Sequence, residues 1–161
     1  MLITRTIDPC DLDIITEWWY QEWKETYIKN GIDTLQKARL DVAVRVQNGT
    51  MDVFVVREGS TIVAVAALVS QQDSAIPSAR MWLSNMYTCP EHRYAGYGTS
   101  LIRAILRHTA GVIGEDILFV TTTPELLHWY REFGFNAKSC DSEGNIVMCM
   151  ETGSISPTLF S

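Results

Sequence analysis

The chemistry-bearing stretch is Cys89-Pro90-Glu91-His92-Arg93-Tyr94-Ala95-Gly96-Tyr97-Gly98-Thr99-Ser100-Leu101. Glycines at 96 and 98 let backbone amides approach a ligand with no Cβ in the way. An amphipathic helical pattern follows at once, so the loop opens a helix. The start of a helix offers unpaired N–H groups and the positive end of its dipole. With the fixed charge of Arg93, these groups suit phosphate oxygens. Three phosphate-binding loops compete for the segment. A Walker loop needs Gly-Lys-Ser/Thr, and Gly98-Thr99 lacks the lysine. A dinucleotide fingerprint, G-x-G-x-x-G, would need glycine where Leu101 stands. What remains is R-x-x-G-x-G, from Arg93 to Gly98, against the alternative of a glycine-rich turn that holds nothing.

The chain around this loop has 161 residues, enough for one domain with a core that needs neither disulfide nor metal. Hydrophobic residues make up 47% and charged residues 20%, which excludes a disordered chain, a collagen and a coiled coil. The longest apolar run, Ile62 to Val69, is far too short to span a membrane. Met1-Leu2-Ile3-Thr4-Arg5-Thr6 has polar residues where a signal peptide needs an apolar stretch. The expected location is therefore cytoplasmic. Thirteen Lys and Arg against 19 Asp and Glu give a net charge of −6. That balance disfavours nucleic acid as a partner and is compatible with cationic substrates such as amines. Cys10, Cys89, Cys140 and Cys149 form no C-x-x-C, and no zinc spacing appears, so no metal is expected. Reduced thiols are the expectation, although Cys140 and Cys149 could face each other on a hairpin.

The elements that must position the loop follow from periodicity. Leu2 to Ile7 reads as a short strand. Asp8-Pro9 offers a helix start, and Leu12, Ile15, Trp19 and Trp23 form one buried stripe at spacings of three and four. Trp18 and Tyr20 fall off that stripe and are expected to expose aromatic surface. Asp33 is the expected cap of a second helix, with Leu35, Ala38, Val42 and Val46 as its apolar face. Val53 to Arg57 and Thr61 to Ser70 read as a hairpin around Glu58-Gly59. Gln71 to Ser78 is a polar loop, and Arg80 to Thr88 a further strand stopped by Pro90. After the glycine loop come a long helix, a strand over Ile117 to Thr122, and a short helix from Thr123-Pro124 through Phe133. A final hairpin pairs Phe135 to Cys140 with Asn145 to Met150. The order predicts a mixed α+β domain over 1–151 with a central sheet, and a mobile tail over 152–161.

A strand, R-x-x-G-x-G and a long helix resemble the acetyl-CoA-binding motif of the GNAT superfamily of N-acetyltransferases, for which Pro90-Glu91-His92-Arg93 is a familiar lead-in. A second match lies downstream. Leu127-His128-Trp129-Tyr130-Arg131-Glu132-Phe133-Gly134-Phe135 resembles the family's helix-ending segment, F-Y-x-x-x-G-F. The clear resemblance covers about Trp82 to Met150; the first half fits by element order alone. It implies a mostly antiparallel twisted sheet of six to seven strands flanked by about four helices. It implies acetyl-CoA as co-substrate. Met86, Tyr87 and Thr88 would offer backbone groups to the pantetheine arm. Arg93, Tyr94, Ala95, Gly96, Tyr97, Gly98 and Thr99 would wrap the pyrophosphate. Thr123 stands where the family often has asparagine, Leu127 would line the cofactor side, and Arg131 could reach its phosphates.

The implied reaction is attack of a primary amine on a thioester carbonyl. The amine must shed a proton, the developing oxyanion needs a donor, and the departing thiolate needs a proton. Tyr130 matches the family's general-acid tyrosine. The base is harder to place. Trp82-Leu83-Ser84-Asn85-Met86 has no carboxylate where many relatives carry glutamate, so Ser84 or Asn85 would hold a relaying water. Glu22 or Glu25 could instead face the acceptor, with His92 and His128 ranked behind them. Trp18, Tyr20 and Glu22 are the expected acceptor residues, selecting a cationic amine of a small molecule. The alternatives are a protein or peptide N-acetyltransferase and a non-catalytic acyl-CoA-binding module. No membrane partner is expected, and the final hairpin offers an edge at which a homodimer could form.

Overall fold

The structure is a computed structural model that describes residues 1–5, 7–70 and 80–152. The expected polar loop Gln71 to Ser78 and the tail beyond Thr152 lie outside the described residues. Among the described residues, seven strands run β1 (Leu2–Thr4), β2 (Met51–Glu58), β3 (Thr61–Ser70), β4 (Met81–Thr88), β5 (Ile117–Thr122), β6 (Asn136–Cys140) and β7 (Ile146–Glu151). The helices are α1 (Pro9–Glu22), α2 (Lys24–Lys29), α3 (Leu35–Gln47), α4 (Tyr97–His108) and α5 (Leu127–Phe133). The strands form one open, mostly antiparallel sheet in the order β1-β2-β3-β4-β5-β7-β6. The chain divides into two compact units, 1–68 with 85–101, and 69–84 with 102–161.

In the first unit, β1 pairs antiparallel with β2, Ile3 opposite Val56. The β2–β3 hairpin turns at Gly59, whose φ of +61° is one that glycine adopts without strain. Eight consecutive residues of β3, Ile62 to Val69, are buried. A strand buried on both faces reads as a continuous apolar run rather than an alternation. Helix α1 opens on a capping box: Asp11 N–H donates to Asp8 Oδ1 at 2.9 Å, and Asp8 N–H donates to Asp11 Oδ2 at 3.4 Å. Asp11 also pairs with Arg57 of β2, tying this helix start to the sheet. Ile15 and Trp19 are fully buried, as their spacing predicts.

Three expectations change here. The first helical stretch breaks at Trp23, which divides it into α1 and the short α2. The cap of α3 is Thr34, whose Oγ1 accepts from Lys37 N–H at 3.2 Å; Asp33 instead pairs with Lys37 Nζ at 2.6 Å. Tyr20 is buried, not exposed. Its ring meets Tyr27 at 5.6 Å, and Lys24 lies over it. A tyrosine next to a buried tryptophan widens the apolar stripe beyond the strict three-four spacing.

In the second unit, β4 pairs parallel with β5 through Trp82–Phe119 and Leu83–Val120. Antiparallel β7 follows, with Phe119 opposite Cys149, and then β6 at the edge. Leu118, Met148 and Phe135 are core residues, as are Ile102 and Ile105 of α4. Helix α4 continues into a π-helical turn over Thr109–Ile113 and ends at Gly114 in the left-handed region. The register shifts between Ala137 and Ser139, and Cys140 faces Ile146 while Cys149 faces Asn136. The two cysteines are therefore not opposite each other, and all four thiols are free.

Candidate functional site

The loop between β4 and α4 belongs to the first unit. Cys89 N–H donates to Val63 O at 2.9 Å, so the exit from β4 is held by β3. Pro90–His92 make one 3₁₀ turn, which delivers Arg93. The Arg93 Nε–H donates to Thr88 O at 3.0 Å, and its guanidinium carbon lies 5.6 Å from the centre of the Tyr87 ring. On α1, the Trp18 ring meets the Tyr87 ring at 5.4 Å, tilted by 35°. Trp18 is thus half-buried, stacked on β4, and joined through Tyr87 to the arginine of the motif.

Beyond Arg93 the backbone turns through two left-handed residues, Tyr94 at φ +65° and Gly96 at φ +85°. The glycine adopts this conformation freely, whereas a bulky residue there is strained. Tyr94 is fully exposed and packs on nothing that would offset the strain. A Cβ built on Gly96 meets no atom within 4 Å, so that side of the loop is open. The first backbone bond of α4 runs from Ser100 N–H to Gly96 O at 3.1 Å. The amides of Tyr97, Gly98 and Thr99 come before it, where a helix provides no acceptor of its own. Three amides at the positive end of a helix, beside open space, fit a pyrophosphate. Tyr97 Oη donates to Glu58 Oε1 at 2.9 Å, an anchor that motif reasoning did not find. Burial pushes the Cys89 thiol up, with the Glu91 charge adding to the effect, so Cys89 is no ready thiolate.

The remaining β4 candidates fall on either side of a bend. Ser84 and Asn85 are half-buried. Asn85 has φ +53°, a left-handed residue inside a strand, two residues beyond the Leu83–Val120 pair of β4 and β5. Asparagine tolerates this region better than most residues, and a left-handed residue in a strand bends it. Met86, Tyr87 and Thr88 follow, all half-buried.

In the second unit, Thr123 starts the 3₁₀ turn Pro124–Leu126 that leads into α5. Leu127 is half-buried, and Arg131 is exposed. Tyr130 is buried, 5% exposed, with Trp129 edge-on at 5.0 Å and Phe135 edge-on at 5.7 Å. Burial pushes its phenol up to about 12, so at neutral pH the group keeps its proton. Gly134 closes α5 at φ +105°, and a Cβ there would meet Met150 Cε at 3.3 Å. The glycine after α5 is thus required by its conformation, while the flexible tip of Met150 would have to shift by only a few tenths of an ångström to admit a Cβ. His128 lies 3.4 Å from Glu132, one turn along the exposed side of the helix.

Of the expected acceptor residues, Trp18 is half-buried, Glu22 is exposed, and Tyr20 lies in the core. Among the described residues, no three His, Cys, Asp or Glu side chains gather as a metal site. None of the described helices is long and apolar enough to cross a membrane.

A strand that exits into a glycine loop and then into the start of α4 presents backbone N–H groups suited to phosphate oxygens. The chain belongs to the GNAT acetyltransferase family, whose domain model matches residues 49–137. It is 39% identical over 85 residues to the amino-acid acetyltransferase of Pseudomonas syringae pv. syringae, a match covering 53% of this chain and 18% of that protein. The corresponding Pseudomonas aeruginosa protein is 38% identical over 88 residues, covering 55% and 19%. The chain thus matches about a fifth of the length of these relatives. Among solved structures, an aminoglycoside 6′-N-acetyltransferase complexed with coenzyme A superposes with a TM-score of 0.75 at 13% identity, covering 94% of this chain and 97% of that one. A Thermoplasma acidophilum PaiA N-acetyltransferase, also in complex with coenzyme A, gives 0.69 at 17% identity, covering 94% and 99%. A chimera of the Vibrio cholerae spermidine N-acetyltransferase SpeG and hSSAT gives 0.71 at 14%, covering 95% and 98%. At these identities the superpositions speak for the fold alone.

Proposed function

We propose that this chain is an acetyl-CoA-dependent N-acetyltransferase that acetylates a primary amine of a small molecule in the cytoplasm. The observation that carries this reading is the Arg93–Thr99 loop. It runs into the N-terminus of α4 inside the span matched by the family model, with its glycine side open. Bound there, acetyl-CoA would supply the activated acetyl thioester. The amides of Tyr97, Gly98 and Thr99 would hold the pyrophosphate, and Met86, Tyr87 and Thr88 the pantetheine arm. Arg131 and Leu127 are the proposed further contacts, and Thr123 replaces the asparagine often found at its place. Tyr130 would give its phenolic proton to the departing thiolate, and burial keeps that proton on the phenol at neutral pH. Ser84 and Asn85 would hold the water that takes the amine proton, since β4 offers no carboxylate.

A small amine as acceptor is supported by the spermidine and aminoglycoside names of two structural neighbours. The net charge of −6 favours a cation. Trp18 and Glu22 are the proposed acceptor contacts, with Tyr20 supporting α1 from the core. Four free thiols suit a reducing compartment.

The test is thiol release from acetyl-CoA in the presence of amino acids, polyamines and aminoglycosides. The expected result is turnover with at least one amine, and a fall of about a hundredfold in kcat for Tyr130→Phe with acetyl-CoA binding kept. Unchanged turnover in Tyr130→Phe would remove the tyrosine from the mechanism.

A further inference from the structure

We propose that Glu58 is a positioning residue for the acetyl-CoA loop, acting through its hydrogen bond with Tyr97. The inference rests on the reading of that loop as the pyrophosphate site. Glu58 is the last residue of β2, and Tyr97 stands between the two glycines of R-x-x-G-x-G. The phenol donates to Glu58 Oε1 at 2.9 Å, and the ring meets His92 edge-on at 6.3 Å. The other carboxylate oxygen lies 3.5 Å from the Met1 ammonium.

The geometry pins the loop at both ends. Arg93 is fixed by Thr88 O and the Tyr87 ring, and Tyr97 is fixed by Glu58. Between these anchors Tyr94, Ala95 and Gly96 are exposed, and a Cβ at Gly96 would touch nothing. A glycine-flanked segment without packing loses conformational freedom when it grips a ligand. An anchor that orders it beforehand reduces that cost. The charge of Glu58 by itself works the other way, because a carboxylate near a pyrophosphate repels it. The two effects of Glu58 therefore have opposite signs, and substitutions separate them.

The test compares Glu58→Ala, Glu58→Gln, Tyr97→Phe and the Glu58→Ala/Tyr97→Phe double variant by calorimetric titration with acetyl-CoA. Tyr97→Phe is expected to weaken binding about fivefold, the effect of one hydrogen bond, and Glu58→Ala about twofold to threefold, because it also removes the repelling charge. The double variant is expected to be no weaker than either, since both changes remove the same bond. Glu58→Gln keeps an acceptor oxygen and is expected to bind within about twofold of the wild-type protein. Acetyl-pantetheine lacks the pyrophosphate, so its KM is expected to be the same in Glu58→Ala and wild type. Binding of acetyl-CoA by Glu58→Ala as tight as, or tighter than, by wild type would overturn the proposal. Equal rises in KM for acetyl-CoA and acetyl-pantetheine would also overturn it, because they would mean general damage to the fold. Failure of the wild-type protein itself to bind acetyl-CoA would overturn the functional reading together with this one.

Discussion

Replacing Tyr130 by phenylalanine should change how the protein tolerates alkali as well as how fast it turns over. Burial raises the Tyr130 phenol from 10.0 to about 12. A raised pKa means that the folded state holds the proton more tightly than the unfolded chain. Above pH 10 the unfolded chain binds fewer protons at this site, so stability falls as pH rises. The contribution is complete below pH 10 and disappears as pH passes through about 12. A two-unit shift corresponds to about 2.7 kcal/mol over the whole window, and about 1.4 kcal/mol of it should be lost by pH 11. Tyr27 and Tyr97 are also shifted upward, so wild type must be read against Tyr130→Phe and not alone. The assay is urea unfolding of both proteins at pH 8, 10 and 11. The stability difference between them should stay level from pH 8 to near 10, then move by about 1.4 kcal/mol against wild type at pH 11. Parallel stability curves up to pH 11 would refute the argument that desolvation holds the Tyr130 proton.

Other perturbations test separate elements. Asn85→Ala puts an ordinary side chain at φ +53° and should cost about 1 kcal/mol in chemical denaturation, whereas Asn85→Gly should come out closer to wild type. Asp8→Ala removes the capping box of α1 and should cost about 1 kcal/mol by the same measurement. Ile105→Ala, at a fully buried position on α4, should cost about 2–5 kcal/mol, most visibly as a lower melting temperature.

The element order was legible because each period was distinct. The run Ile62 to Val69 reads as a strand because a short Gly-containing turn joins it to Val53 to Arg57, and Leu101, Ile105 and His108 mark one side of a helix. The turn of the glycine loop into α4 and the end of α5 at Gly134 were legible because glycines and apolar spacing are local signals. Features set by tertiary contacts were not. Tyr20 is in the core because Tyr27 and the Lys24 stem cover it, neither of which follows from the α1 stripe. Thr34 takes the cap of α3 because the neighbouring Asp33 is engaged by Lys37. The separation of Cys140 from Cys149 follows from the β6–β7 register, in which Cys140 lies near the turn opposite Ile146 and Cys149 lies opposite Asn136. The Tyr97–Glu58 bond joins residues 39 positions apart, so no local motif contains it. The left-handed turn at Asn85 leaves only a weak trace, an asparagine inside an otherwise regular strand.

The most direct test of the central claim is calorimetric titration of the wild-type protein with acetyl-CoA, with ATP and NAD as controls. The account predicts saturable binding of one acetyl-CoA per chain and none of comparable strength for either control. It also predicts weaker binding in Gly96→Val, which puts a branched side chain at φ +85° in the open part of the loop. No saturable uptake of acetyl-CoA would contradict it and reduce the Arg93–Thr99 segment to a turn.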